Sequence, residues 1–135
     1  MMVTTRQPTP PQVLVVDDNR DAADTTGQLL ELVGCDVHVC YDGFAALEWA
    51  SDHPPDICFI DLNMPGMDGD ELAVRLRDAL PGVPIRLAAV TAMSGFQDRW
   101  RTRRAGFRWH LVKPVDPGDF WAIVHDRGGP TAAVE

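Results

Sequence analysis

Short apolar runs alternate with helical stripes along the whole chain. Val13 to Val16 is a β-branched run that stops at Asp17-Asp18. A run apolar on both faces predicts a central parallel strand. Ala22, Thr26, Leu29, Leu30 and Val33 then fall on one helix face, closed by Gly34. Asp36 to Cys40 predicts a second strand. Phe44, Leu47 and Ala50 mark a second helix, ended by His53-Pro54-Pro55. Ile57 to Ile60 is a third apolar strand, ending at Asp61. Leu72, Leu76 and Leu80 repeat every four residues and stop at Pro81-Gly82. Ile85 to Val90 predicts a fourth strand, ending at Thr91. Phe96 and Trp100 are expected to anchor a short helix that Gly106 ends, and Trp109 to Val112 a fifth strand ending at Lys113-Pro114. Asp116 is a good N-cap with Pro117 at the first helical position, and Phe120, Ile123 and Val124 supply the last buried face. The four tryptophans are expected to pack.

Five strand–helix units in strict alternation imply an α/β fold, a parallel sheet with helices on both faces. In such sheets ligands sit beyond the carboxyl ends of the strands, where the strand order reverses. At 135 residues the chain makes one domain. Three spans are expected: a loose, proline-rich segment at 1–12, the folded domain at 13–127, and a short tail at 128–135.

The formal net charge of −8 argues against direct nucleic-acid binding, which needs a basic surface. The charge is uneven. Residues 1–98 carry 16 acidic against 5 basic residues, whereas 99–135 carry 7 basic against 4 acidic. The arginines 99, 101, 103 and 104 are thus a candidate partner-binding face, set against the plainer reading of a solvated helix surface. Cys35, Cys40 and Cys58 have no metal spacing and read as buried filler in a reducing compartment. No apolar run approaches the ~18 residues of a membrane span, and no secretory leader pattern is present, so a cytoplasmic address is expected.

The polar residues at the strand ends carry the chemistry: Asp17 and Asp18 after the first strand, Asp61 after the third, Thr91 after the fourth, Lys113 after the fifth. Three converging carboxylates repel without a cation, and as oxygen ligands they suit Mg²⁺. A lysine and a hydroxyl beside such an ion suit the oxygens of a phosphoryl group. A central carboxylate can itself be the nucleophile, and Asp61, alone at the end of the middle strand, is the best candidate.

With Val15-Val16-Asp17-Asp18, Asp61-Leu62-Asn63-Met64-Pro65-Gly66-Met67-Asp68-Gly69, Thr91-Ala92 and Lys113-Pro114 in order, the chain resembles the receiver domain of bacterial two-component response regulators. The resemblance covers about Val13 to Arg127. It implies a flavodoxin-like doubly wound sheet of order 2-1-3-4-5 with five helices. It further implies that Asp61 accepts a phosphoryl group from a sensor histidine kinase or phosphotransfer protein. Asp17, Asp18, Asp61 and the Asn63 backbone carbonyl would hold Mg²⁺, while Lys113 and Thr91 bind phosphoryl oxygens. The Lys113–Pro114 bond is expected cis. Signalling to a downstream protein would run through the face of helix 4, strand 5 and helix 5, in a monomer or weak dimer. Such a domain is no turnover enzyme and catalyses only its own phosphorylation and dephosphorylation. A stand-alone regulator and a receiver cut from a hybrid kinase both fit.

Two positions depart from the commoner family pattern. His110 stands where Tyr or Phe usually acts as the switch residue, and its neutral form is expected to favour the inward, active position. Met93 stands where a polar residue is frequent, and is expected to slow loss of the phosphoryl group. The alternatives are a non-phosphorylated receiver-like protein-binding module and a Mg²⁺-dependent phosphatase, whose D-x-D pair on the first strand is not seen here.

Overall fold

The computed structural model describes residues 9–92 and 95–126. Met93 and the expected tail at 128–135 lie outside the described residues, as do residues 1–8.

The elements run β1 (Gln12–Val16), α1 (Arg20–Leu32), β2 (Asp36–Cys40), α2 (Gly43–Asp52), β3 (Ile57–Asp61), α3 (Gly69–Ala79), β4 (Arg86–Thr91), α4 (Phe96–Ala105), β5 (Trp109–Val112) and α5 (Pro117–Val124). The strands form one parallel sheet in the order β2-β1-β3-β4-β5. The order reverses between β1 and β3. Their carboxyl ends stand side by side, since Val16 pairs with Ile60 in the ladder.

Strand alternation divides the core in two. Leu14, Val16, Cys58, Ile60, Leu87 and Ala89 point to one face, where they pack with Ala46, Leu72 and Leu76 of α2 and α3. Val13, Val15, Ile57, Phe59 and Ala88 point to the other, against Ala23 and Leu30 of α1 and Phe120, Ile123 and Val124 of α5. Side chains on successive strand residues face opposite ways, so apolar runs such as Val13–Val16 serve both layers. The three cysteines are buried and unpaired, as filler should be.

The helix starts are capped locally. Asn19 accepts from the Ala22 N–H at 3.0 Å, Asp42 from the Ala45 N–H at 2.8 Å, and Asp116 from the Gly118 N–H at 2.8 Å. The Lys113–Pro114 peptide is cis.

Several aromatic residues read as anchors are not buried. Phe96 is 86% exposed and Trp100 53%, and the buried side of α4 is instead Thr102 and Ala105. Phe44 and Trp121 are also exposed, at 58% and 55%. Trp109 does pack in the core, and Trp49 lies stacked between His38 and His53 with ring centroids 3.5 and 3.8 Å away. The i, i+4 spacing of Phe96 and Trp100 identified a stripe on α4, but both stripes of a short arginine-rich helix can meet that spacing. The sheet takes the one that allows closer approach.

No helix among the described residues is long and apolar enough to cross a membrane.

Candidate phosphoryl and metal site

Each charged residue of the site comes from the last position of a strand or the one or two residues after it. The Asp17 N–H continues the ladder by donating to the Cys40 carbonyl at 3.2 Å. That holds the Asp17 side chain at the sheet edge, 5% exposed, with Oδ1 accepting from the Asn19 N–H at 3.0 Å. Asp18 follows and is exposed. Asp61 is the final residue of β3, opposite Val90 of β4, and its Oδ1 accepts from the Asn63 N–H at 3.3 Å. Thr91 ends β4 fully buried, paired with Val112. The Lys113 N–H donates to the Thr91 carbonyl at 2.8 Å, so β5 delivers the lysine beside the threonine.

The acidic groups converge. Asp17, Asp18 and Asp61 each offer a carboxylate oxygen, and these lie within 4.8 Å of one another. Lys113 Nζ sits 2.7 Å from Asp17 Oδ2 and 3.8 Å from Asp61 Oδ2. Burial and the neighbouring Asp17 charge raise the Asp61 carboxyl to about pKa 7, against the pull of Lys113 and the Asn63 N–H. A carboxylate so strained by its neighbour is one a cation relieves. Three hard oxygen donors in an open arrangement fit Mg²⁺.

One essential residue carried no charge signal. A Cβ on Gly69 would meet the Asp61 carbonyl oxygen at 2.3 Å, and Ile60 Cγ2 and Leu62 Cα at 2.9 Å each. The Gly69 N–H donates to the Leu62 carbonyl at 2.8 Å. Only glycine lets α3 start so close behind β3. Gly69 stood in the motif, but spacing alone gave it no task.

The remaining candidates lie toward α4. His110 on β5 pairs in register with Ala89, and its Nδ1 is 3.3 Å from Thr102 Oγ1. The Thr102 hydroxyl donates to the Arg99 carbonyl at 2.8 Å. His110 therefore touches α4 here. Arg101 is committed inside the molecule. Its Nε and one terminal nitrogen donate to the two Asp70 oxygens at 3.3 and 2.8 Å, and the other terminal nitrogen donates to Asn63 Oδ1 at 3.3 Å. Asp70 is held below the usual carboxylate range by these bonds, despite its partial burial. Arg103 and Arg104 are exposed, and Arg104 lies over the Trp100 ring at 4.8 Å. Of the four arginines taken as one face, Arg101 thus braces α4 to the loop after β3, while Arg103 and Arg104 point outward.

The family model for the response regulator receiver domain matches residues 13–125. The chain belongs to that family. It is 38% identical over 112 residues to an uncharacterized 14.6 kDa protein of Leptolyngbya boryana, covering 83% of this chain and 86% of that one. It is 38% identical over 106 residues to the transcriptional regulatory protein PrrA of Mycobacterium tuberculosis, covering 78% of this chain but only 45% of PrrA. Among solved structures, a CheY-like response regulator receiver domain from Methylobacillus flagellatus superposes with a TM-score of 0.75 at 32% identity, over 86% of this receiver and 97% of that chain. The receiver fold accounts for the 2-1-3-4-5 order, and its crevice at the strand reversal is where the acidic cluster lies.

Proposed function

We propose that this receiver is a phosphorylation switch in two-component signalling, taking its phosphoryl group on Asp61 from a histidine kinase or phosphotransfer protein. The observation that carries the reading is the placement of Lys113 Nζ against both Asp17 and Asp61 at the carboxyl edge of the sheet.

An Asp61 oxygen attacks the phosphorus of the donor. The new oxygen–phosphorus bond forms as the bond to the donor's imidazole nitrogen breaks, and the imidazole leaves with its electron pair. The attack needs ionised Asp61, and a carboxyl at about pKa 7 is only partly ionised at neutral pH. Asp17, Asp18, Asp61 and the Asn63 carbonyl would hold Mg²⁺, whose charge favours the ionised form and offsets that of the phosphoryl oxygens. The Lys113 ammonium can reach one phosphoryl oxygen by exchanging its Asp17 contact. The Thr91 hydroxyl, at the end of the adjacent strand, can reach another.

Signalling would follow from rearrangement of α4, β5 and α5. His110 already links β5 to α4 through Thr102, and Val112 and Trp121 leave apolar area exposed there, at 39% and 55%. The output is a downstream protein partner of a cytoplasmic domain, monomeric or weakly dimeric. The domain modifies itself rather than turning over a substrate.

Incubation with acetyl phosphate and Mg²⁺ tests the reading by intact mass spectrometry. Wild type should gain one phosphoryl group, and Asp61→Asn none. Equal phosphorylation of the variant would place the acceptor elsewhere.

A further inference from the structure

The exposed side of α4 carries a stripe that the core does not use. Phe96 and Trp100 lie one turn apart, at 86% and 53% exposure, and Arg104 continues the stripe a turn further on with its guanidinium over the Trp100 ring. Val74 of α3, 47% exposed, lines the same groove as Trp100. Between the two helices runs a groove of about 350 Å³ lined by Asp70, Glu71, Val74, Trp100, Arg101 and Arg104, with Ala105 at its end. This is the flank of α4 away from β5.

The charges in the groove are not equivalent. Asp70 is taken up by Arg101, and Glu71 by Arg75 at 2.6 Å. Each acid thus sits against an arginine, which lessens its repulsion of an incoming carboxylate. Arg104 in the groove, and the exposed Arg103 next to it on α4, make no ion pair with a carboxylate among the described residues. α4 has four arginines against the single Asp98, on a chain whose formal net charge is −8. An acidic segment is repelled over most of this protein and attracted here. A large apolar side chain entering between Val74 and Trp100 would cover exposed apolar area, and the Arg104-on-Trp100 stack sets a cation at its rim.

We propose that the α3–α4 groove is a docking site for an acidic protein segment that inserts a large apolar side chain between Trp100 and Val74 and pairs its carboxylates with Arg103 and Arg104. Arg101 gives the site its link to the switch. It floors the groove, braces α4 to Asp70, and bonds Asn63 Oδ1, while the Asn63 backbone N–H bonds Asp61. A change at Asp61 therefore reaches the groove wall through two residues. That dependence rests on the phosphoacceptor reading; docking to the unmodified protein does not.

The probe is a fluorescein-labelled amphipathic helix with leucines on one face and glutamates on the other, with a lysine-for-glutamate version as control. Fluorescence anisotropy should show the acidic probe binding wild type, with affinity falling as salt rises. Trp100→Ala and Arg103→Glu/Arg104→Glu should each weaken it at least ~10-fold, the ~1.4 kcal/mol of one lost anchor. All three side chains are exposed, so these variants should fold. Leu32→Ala, altering a residue of α1 that is 82% exposed, should bind as wild type does. In NMR spectra the Trp100 indole N–H should shift and that of Trp121 should not. Equal affinity for both peptides, unchanged binding by the α4 variants, or a shift confined to Trp121 would overturn the proposal. Beryllofluoride with Mg²⁺ should change the affinity of wild type, and Arg101→Gln should erase that change. If the acidic probe binds but neither protein responds, the link through Arg101 is wrong and the docking site stands. If Asp61 takes no phosphoryl group from acetyl phosphate, the phosphoacceptor reading fails separately.

Discussion

Lys113 lies closer to Asp17 than to Asp61, 2.7 Å against 3.8 Å from Nζ to the respective Oδ2. The lysine shares Asp17 with the candidate metal site, and it lowers the cost of holding that acidic cluster together. A cation on a flexible stem can later be given up to a phosphoryl oxygen, since the Asp17 contact is an ion pair and not a covalent tie. Under the proposed function, the same residue would compete with Mg²⁺ for the carboxylates and serve the phosphoryl group.

Lys113→Ala separates these two roles. Removing the ammonium should tighten Mg²⁺ binding by about 3- to 10-fold, because ~1 kcal/mol of like-charge repulsion disappears. Phosphorylation by acetyl phosphate should nonetheless slow at saturating Mg²⁺. Isothermal titration and a phosphorylation time course measure the two effects. Weaker Mg²⁺ binding in the variant would mean that the lysine organises the site rather than competing for it.

Asp61 makes a stability prediction with a definite sign. Its carboxyl is raised from the usual range to about pKa 7 by burial and by Asp17. The folded state keeps that proton to higher pH than the unfolded state does, so wild-type stability falls as pH rises from ~4 to ~7. In chelator, Asp61→Asn should escape this loss. It should be the more stable protein at pH ~8, with the gap closing as pH falls below ~7. Urea unfolding at several pH values checks it. A gap that widens on acidification would mean that Asp61 stabilises the fold in its charged form.

Gly69→Ala should damage both fold and site. The added carbon would meet backbone atoms of Asp61 and Leu62, at 2.3 and 2.9 Å, which cannot turn aside as a side chain can. We expect a loss of about 1–3 kcal/mol, the usual range for overpacking. Where the variant remains folded, phosphorylation should slow, because relief of the clash moves Asp61. Wild-type stability in this variant would show that α3 can shift away from β3 freely.

Thr102→Val tests the contact between β5 and α4. Thr102 is fully buried, its hydroxyl donating to the Arg99 carbonyl at 2.8 Å and lying 3.3 Å from His110 Nδ1. Valine keeps the shape and removes the hydroxyl, at a cost of about 1 kcal/mol. The His110 imidazole resonances should shift in long-range ¹⁵N spectra while those of His38 and His53 stay in place. Unmoved His110 signals would mean that the ring is positioned by the strand and owes nothing to α4.

The strand–helix alternation and the chemistry at the strand ends were both legible along the chain. β-strands of four to six residues between capped helices leave little freedom in where each strand stops, and Asp17, Asp61, Thr91 and Lys113 each mark such a stop. Periodicity reads local geometry, and in this fold local geometry places the site. The residue-by-residue pattern could not rank the two stripes of α4, because burial depends on what the sheet presents to the helix. Thr102 and Ala105 are small enough to approach β5 and α3, so the larger Phe96 and Trp100 are left outside. The partner of Arg101 was equally hidden. Asp70 is 31 residues away in the chain, and only the crossover from α3 through β4 to α4 brings the two together. Gly69 belongs to the same class, a residue required by how closely two backbones pass. Tertiary packing decided these points, because each depends on distances between elements that no spacing within one element encodes.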